Sequence, residues 1–267
     1  MEQRAAMKAN PPWLGLQLYT LREQCATDFA GVLQRVAAMG YVGVELFGLH
    51  GMPVDEVAVA LDDAGLRAAS ALVGLDPTDE FEATLDVYAS LGAETVVVVA
   101  LAPEDFKSAA ALDRAADRLN DANEKARDRS LTLGYHNHWW ELEEQCDDRP
   151  ALVALFDRLA PEVVAEVDIY WPQVVGVNPA ELVRELGERV ALLHVKDGPV
   201  DPAVPMVAVG DGALDIPAVL GASTSARWHF VELDDCATSL EGAVARSHDY
   251  LVGRGLSQGR ASGASRL

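Results

Sequence analysis

Eight short apolar runs recur along this 267-residue chain, each followed by a stretch with helical periodicity. The runs fall at 14–20 (LGLQLYT), 43–47 (GVELF), 66–73 (LRAASALV), 95–101 (TVVVVAL), 131–137 (LTLGYHN), 163–169 (VVAEVDI), 190–196 (VALLHVK) and 228–233 (WHFVEL). Helical stretches follow near 28–39, 53–64, 78–91, 105–129, 150–159, 179–187, 215–221 and 238–254. Strands alternating with amphipathic helices build a parallel sheet with helical crossovers. Pro53, Pro77, Pro150 and Pro179 stand where a first helical turn tolerates a missing N–H, Asp76, Asp105, Asn178 and Thr238 suit the N-cap, and Gly40, Gly65 and Gly92 suit helix termination. No GxGxxG follows the first run, as a dinucleotide-binding open sheet would want. Eight units in this length match a closed barrel of ~250 residues. The chain is therefore expected to be α/β, a single (β/α)8 TIM barrel over 13–254 with its site at the C-terminal face of the strands. Residues 1–12 are expected to form a flexible extension and the Gly/Ser-rich 255–267 a flexible tail.

Bulk properties narrow the function. A formal charge of −21 excludes a phosphate-backbone partner, since neutralising nucleic acid takes clustered Lys and Arg. The N-terminus lacks a signal-peptide core and no run approaches the ~18 apolar residues of a membrane span. Cys25, Cys146 and Cys236 are widely spaced without a CxxC pair, as expected of reduced thiols in a cytoplasmic protein. The expected partner is a small molecule, with a homo-oligomer left open.

The chemistry-bearing residues sit at the ends of predicted strands. His136, Asp168, His194 and Glu232 are separated by 32, 26 and 38 residues, near the roughly 31 residues of one barrel unit. Residues one unit apart at strand ends converge, and imidazoles and carboxylates are ligands for a divalent ion such as Mn2+, Zn2+ or Mg2+. His136 and His138 share a face of the fifth strand, one as ligand and the other as substrate contact or proton shuttle, unless both are polar strand-end groups satisfied by neighbours. Asp168 and Glu232 follow buried-type residues, so each needs a partner, either a metal or a salt bridge to Lys196 or an arginine. Lys196 shares its face with His194 and is placed to steady an oxyanion or to bridge Asp197 or Glu232. Glu45 ends the second strand as a candidate for substrate hydrogen bonding or general-base work, with a structural role as the alternative. Tyr19, Phe47, Trp139, Trp140 and Trp171 offer either a wall on which a sugar ring stacks or plain core. The Pro- and Gly-rich stretch 198–214 is either a lid over the mouth or a long connection.

Together, GYxGVEL at 40–46, YHNHWWEL at 135–142, EVDIYW at 166–171, HVKD at 194–197, VGxGxxDI at 209–216 and VEL at 231–233 resemble the xylose isomerase-like TIM barrel family, the sugar phosphate isomerase/epimerase group. The likeness implies a divalent ion held by residues of strands 5, 6, 7 and 8, which by position are His136, Asp168, His194 and Glu232. Epimerases of the family carry Glu where His136 stands, and there paired glutamates act as bases on opposite faces of the substrate. With an imidazole at that place, a single-base route through Glu232, Glu45 or His138 is easier to draw. The resemblance thus implies isomerisation or epimerisation of a small sugar or keto-sugar through an enediolate. The alternatives are dehydratase or lyase chemistry on a keto-sugar or inosose at the same site, or a non-catalytic sugar-binding barrel. Apurinic endonucleases share the barrel, but the acidic balance and the shortage of additional His ligands argue against that reading.

Overall fold

Each predicted apolar run forms a strand in the computed structural model, which describes residues 10–75, 79–146 and 148–260. The strands are β1 (Trp13–Gln17), β2 (Gly43–Leu46), β3 (Arg67–Val73), β4 (Thr95–Val98), β5 (Thr132–His136), β6 (Val164–Asp168), β7 (Val190–Val195) and β8 (Trp228–Val231). They pair in parallel in the order β1-β8-β7-β6-β5-β4-β3-β2 and close on themselves. Outside the barrel run α1 (Arg22–Met39), α2 (Val54–Ala64), α3 (Asp79–Ser90), α4 (Ala109–Arg127), α5 (Trp140–Glu143), α6 (Ala151–Phe156), α7 (Tyr170–Val174), α8 (Pro179–Leu186), α9 (Ile216–Leu220) and α10 (Leu240–Gly253). Among the described residues no helix is long and apolar enough to cross a membrane.

Helix boundaries follow local hydrogen-bond chemistry. Helix α1 begins earlier than predicted but breaks at Asp28 (φ −152°, ψ 71°), whose Oδ1 accepts the Gly31 N–H at 2.9 Å and so caps the second half. Asn178 caps α8 as expected, accepting from the N–H groups of Ala180 and Glu181. Ser108 rather than Asp105 caps α4, because Asp105 instead accepts the Ala102 N–H across the 3-10 turn Pro103–Phe106. Ser239, next to the predicted Thr238, caps α10. Asp76 and Pro77 lie outside the described residues. Two short helices beyond the expected set, α5 and α7, follow β5 and β6 closely and frame the mouth.

The core has two parts. A large apolar cluster lies between sheet and helices, and a small one, including Leu72, Val97, Leu192, Trp228 and Phe230, fills the barrel. Trp228 and Phe230 stack with centroids 5.6 Å apart and planes 7° off parallel. They fit because the facing positions on β1 and β2 have no side chain: a Cβ on Gly15 would stand 2.4 Å from Phe230, and one on Gly43 2.6 Å from Trp228. This aromatic plug fills the lower barrel, and the polar inward side chains lie above it.

Past α10, residues 255–260 remain hydrogen-bonded to the barrel. Residues 255–260 run across the barrel floor: the Gln258 N–H donates to the Pro12 carbonyl (2.7 Å), Leu14 N–H to the Gln258 carbonyl (2.8 Å) and Arg260 N–H to the Gly40 carbonyl (2.7 Å). Ser257 bonds the buried His229 ring at 2.8 Å. Backbone hydrogen bonds dock this segment, which apolar content could not reveal.

The 198–214 loop is likewise tied down. The carboxylate of Asp197 is fully buried and accepts four N–H groups, those of Gly198, Gly210, Gly212 and Leu214. The Tyr170 hydroxyl donates to the Pro199 carbonyl (2.6 Å) and the Val209 N–H to Ser247 (2.9 Å). Asp197 is therefore spent on the loop and makes no bridge to Lys196.

Two stability predictions follow from this packing. Gly15→Ala, driving a methyl into Phe230, should destabilise the barrel by about 1–3 kcal/mol in urea unfolding. Asp197→Ala strands four amides and should cost about 3 kcal/mol or more, with amide hydrogen exchange accelerated across 198–214 rather than throughout the barrel.

Candidate metal centre at the barrel mouth

Strand alternation builds the mouth. Glu166 and Asp168 on β6, His194 and Lys196 at the end of β7, and Glu232 just past β8 share the inward parity and are buried with His136 of β5. One ligand atom from each of His136, Asp168, His194 and Glu232 lies within 4.8 Å of the others. Glu45, Glu166 and His194 form a second convergent group. The two groups share His194.

The His194 ring links these groups through its two nitrogens. Its Nε2 hydrogen-bonds Glu45 Oε2 at 2.6 Å and lies 3.1 Å from Glu166 Oε2. Its Nδ1 lies 2.6 Å from Glu232 Oε2, yet the pair is not aligned for a hydrogen bond. His136 Nδ1 stands 3.3 Å from Glu166 Oε2, again without hydrogen-bond alignment. Asp168 spends Oδ1 on the N–H groups of Tyr170 (2.8 Å) and Trp171 (3.2 Å), which leaves Oδ2 for the centre. Lys196 Nζ stands 3.1 Å from that Oδ2 and 3.0 Å from Glu232 Oε2, and donates a hydrogen bond to Asp234 Oδ2 at 3.0 Å.

Burial and charge set the protonation states. Burial, reinforced by the charges of His194, His138 and Lys196, holds His136 well below the usual imidazole range, hence neutral. Burial would also lower His194 and Lys196, but carboxylates override it: Glu166, Glu45 and Glu232 raise His194, and Asp168, Glu232 and Asp234 raise Lys196. Burial pushes Glu166 well up, with Glu45 adding to the effect. Burial acts upward on Glu232 too, but Lys196 and His194 outweigh it and hold it below the ordinary carboxylate range.

The donor set fits a divalent ion. Asp168 Oδ2, Glu232 Oε2, His136 Nδ1 and His194 Nδ1 are buried atoms without an aligned hydrogen bond, and a neutral imidazole and an ionised carboxylate are ligands in their binding forms. Ligation through His194 Nδ1 would replace that nitrogen's proton, while Nε2–H stays on Glu45.

The other predicted site residues spread around this point. Glu45, expected as an acid facing substrate, is fully buried with its oxygens on Ser70 (2.6 Å) and His194, so it orients the imidazole. His138 stacks on Trp140, with centroids 4.4 Å apart, and is about one-fifth exposed at the mouth. Tyr19 packs edge-on to Phe47 at 5.0 Å, and Trp139 packs on Trp171 at 4.8 Å. The first pair follows β1 and β2 and the second follows β5 and β6, which the strand order puts on opposite sides of the barrel. Glu166 and Asp234 join this cluster beyond the residues expected from the sequence. Glu166 was accessible through parity, two residues before Asp168 on one strand; Asp234 lies past the strand end, where parity lapses.

The comparisons agree with this architecture. A sugar phosphate isomerase/epimerase from Parabacteroides distasonis superposes with a TM-score of 0.78 at 22% identity, covering 95% of this chain and 98% of that one. A probable 3-DHS dehydratase from Bacillus anthracis gives 0.72 at 16% identity, covering 91% and 99%. A D-psicose 3-epimerase solved in the presence of D-fructose gives 0.69 at 15% identity, covering 92% and 100%. No curated protein matches the chain. The sequence itself matches the xylose isomerase-like TIM barrel family over residues 33–228, and with the closed barrel and its buried mouth cluster the chain belongs to that family.

Proposed function

We propose that this barrel is a divalent-metal-dependent enzyme that isomerises or epimerises a small sugar or keto-sugar through an enediolate. The observation that carries the proposal is the convergence of His136, Asp168, His194 and Glu232 beside a buried ammonium. A divalent ion held there would supply Lewis acidity toward a carbonyl and its neighbouring hydroxyl. Two imidazoles beside two carboxylates suit Mn2+ or Zn2+ better than Mg2+.

The remaining groups divide the work. Lys196, 2% exposed, keeps its charge and is placed to hold the oxygen that turns negative as the enediolate forms. Glu232 is held ionised by Lys196 and His194, which makes it a good ligand and a weak base. His138, partly exposed at the same mouth, has room to take the proton from carbon and return it to the neighbouring position. The Tyr19–Phe47 and Trp139–Trp171 pairs offer faces on which a sugar ring stacks. The mouth-side Arg22 is engaged by the Tyr19 and Asp234 carbonyls, which favours a substrate without phosphate.

A second reading, elimination of water or an alcohol from a keto-sugar, is favoured by one observation: the strand-5 ligand is His136, so a second carboxylate base is missing from that face. Both readings use the same metal site and differ in product mass.

The purified protein should carry close to one divalent ion per chain by elemental analysis. Asp168→Asn should lose it and reduce turnover of a keto-sugar, aldose and inosose panel by about 100-fold or more, read by mass spectrometry and NMR. Unchanged product mass marks isomerisation or epimerisation, and loss of water or an alcohol marks the lyase. Protein without stoichiometric metal, or binding without turnover, overturns the enzymatic reading. Glu45→Gln should weaken Mn2+ binding by roughly 10- to 100-fold in equilibrium dialysis, since Glu45 steadies the His194 ring.

A further inference from the structure

Lys196 occupies ground that the proposed metal ion also needs. Asp168 has only Oδ2 available, and that atom is 3.1 Å from Nζ; Glu232 Oε2, the oxygen turned toward His194 Nδ1, is 3.0 Å from Nζ. A dication and an ammonium on the same two oxygens repel one another strongly in a buried site. Lysine carries its charge on a flexible four-carbon stem, so Nζ can yield with little backbone movement. The contacts with Asp168 and Glu232 are ion pairs, whereas the bond to Asp234 Oδ2 is an aligned hydrogen bond at 3.0 Å. Asp234 belongs to neither convergent ligand group. Its carboxylate is about one-third exposed toward the rim, and its backbone carbonyl is pinned by Arg22 at 3.0 Å.

We propose that Asp234 is the alternative seat of the Lys196 ammonium, so that a divalent ion binding Asp168 and Glu232 displaces Nζ from those carboxylates onto Asp234. This rests on the metal-centre reading above. Asp234 is then a positioning residue. It lowers the cost of moving the ammonium, and it keeps the charge at the rim, where a substrate oxygen enters. Lys196 acts as an internal competitor that sets how tightly the ion is held.

The pair makes opposite predictions for adjacent residues, tested by calorimetric Mn2+ titration of the full-length protein. Lys196→Met removes the competitor and should tighten Mn2+ binding by roughly tenfold or more; Asp234→Asn removes the seat and should weaken it by roughly tenfold. In the Lys196→Met background, Asp234→Asn should have almost no effect, because no ammonium remains to be moved. A carboxylate acting only through its distant charge would weaken binding equally in both backgrounds, and that result overturns the proposal. So does Lys196→Met binding no more tightly than wild type, or Asp234→Asn binding as tightly. Should Lys196→Met fail to fold, Lys196→Gln carries the same comparison. Wild-type binding with unshifted variants sinks the Lys196–Asp234 exchange alone, whereas wild-type and Lys196 variants that all bind no Mn2+ sink the metal centre with it.

Discussion

Charge held out of water at the top of the barrel governs the rest of the structure. Glu45, Glu166, Asp168 and Glu232 are each at most 5% exposed, and an isolated ionised carboxylate in such surroundings is prohibitively costly. The cost is offset only because His194 and Lys196 reach into the same volume and each touches several of the acids. Removing either base would leave uncompensated charge in a closed cavity. The cluster therefore behaves as one unit, its charge states set mainly by groups from other strands.

The barrel makes this cluster possible by stratifying its interior. Low in the barrel, Trp228 and Phe230 stack in space released by Gly15 and Gly43, which seals the lower opening. Above them, the inward residues of β2, β6 and β7 are Glu45, Glu166 and His194, and above those Asp168, Lys196 and Glu232 approach the mouth. The sequence β-strand parity thus runs from hydrocarbon to charge over a few residues of each strand. Loop anchoring completes the frame, since Asp197, pointing opposite to Lys196, secures 198–214 beside the same opening.

Parity and spacing explain what was legible beforehand. Apolar runs bounded by Gly and Pro located every barrel strand to within a few residues, and the i, i+2 rule grouped His194 with Lys196. The same rule puts Glu166 beside Asp168, although a Glu between Ala165 and Val167 reads as an ordinary strand residue unless its carboxylate is known to be buried. What stayed hidden depends on contacts between distant segments. Residues 255–260 dock through backbone groups, and Asp197 chooses four loop amides over the lysine next to it, although neither composition nor periodicity carries that information. The contacts of Glu45 with Ser70 and His194 likewise depend on depth, which a strand-end position in the sequence does not specify.

His136 gives the site its asymmetry. A carboxylate at that position would add a fifth acid to a cluster already rich in them and would offer a base on the strand-5 side. The imidazole does neither: burial keeps it neutral, and its Nδ1 faces Glu166. The negative charge is consequently displaced toward β7 and β8, where Lys196 draws Asp168, Glu232 and Asp234 together. The partly exposed His138 stands just past the same strand, stacked on Trp140 at the mouth. Charge at the mouth is thus one-sided, with the carboxylates gathered about Lys196 and a neutral imidazole on the strand-5 side.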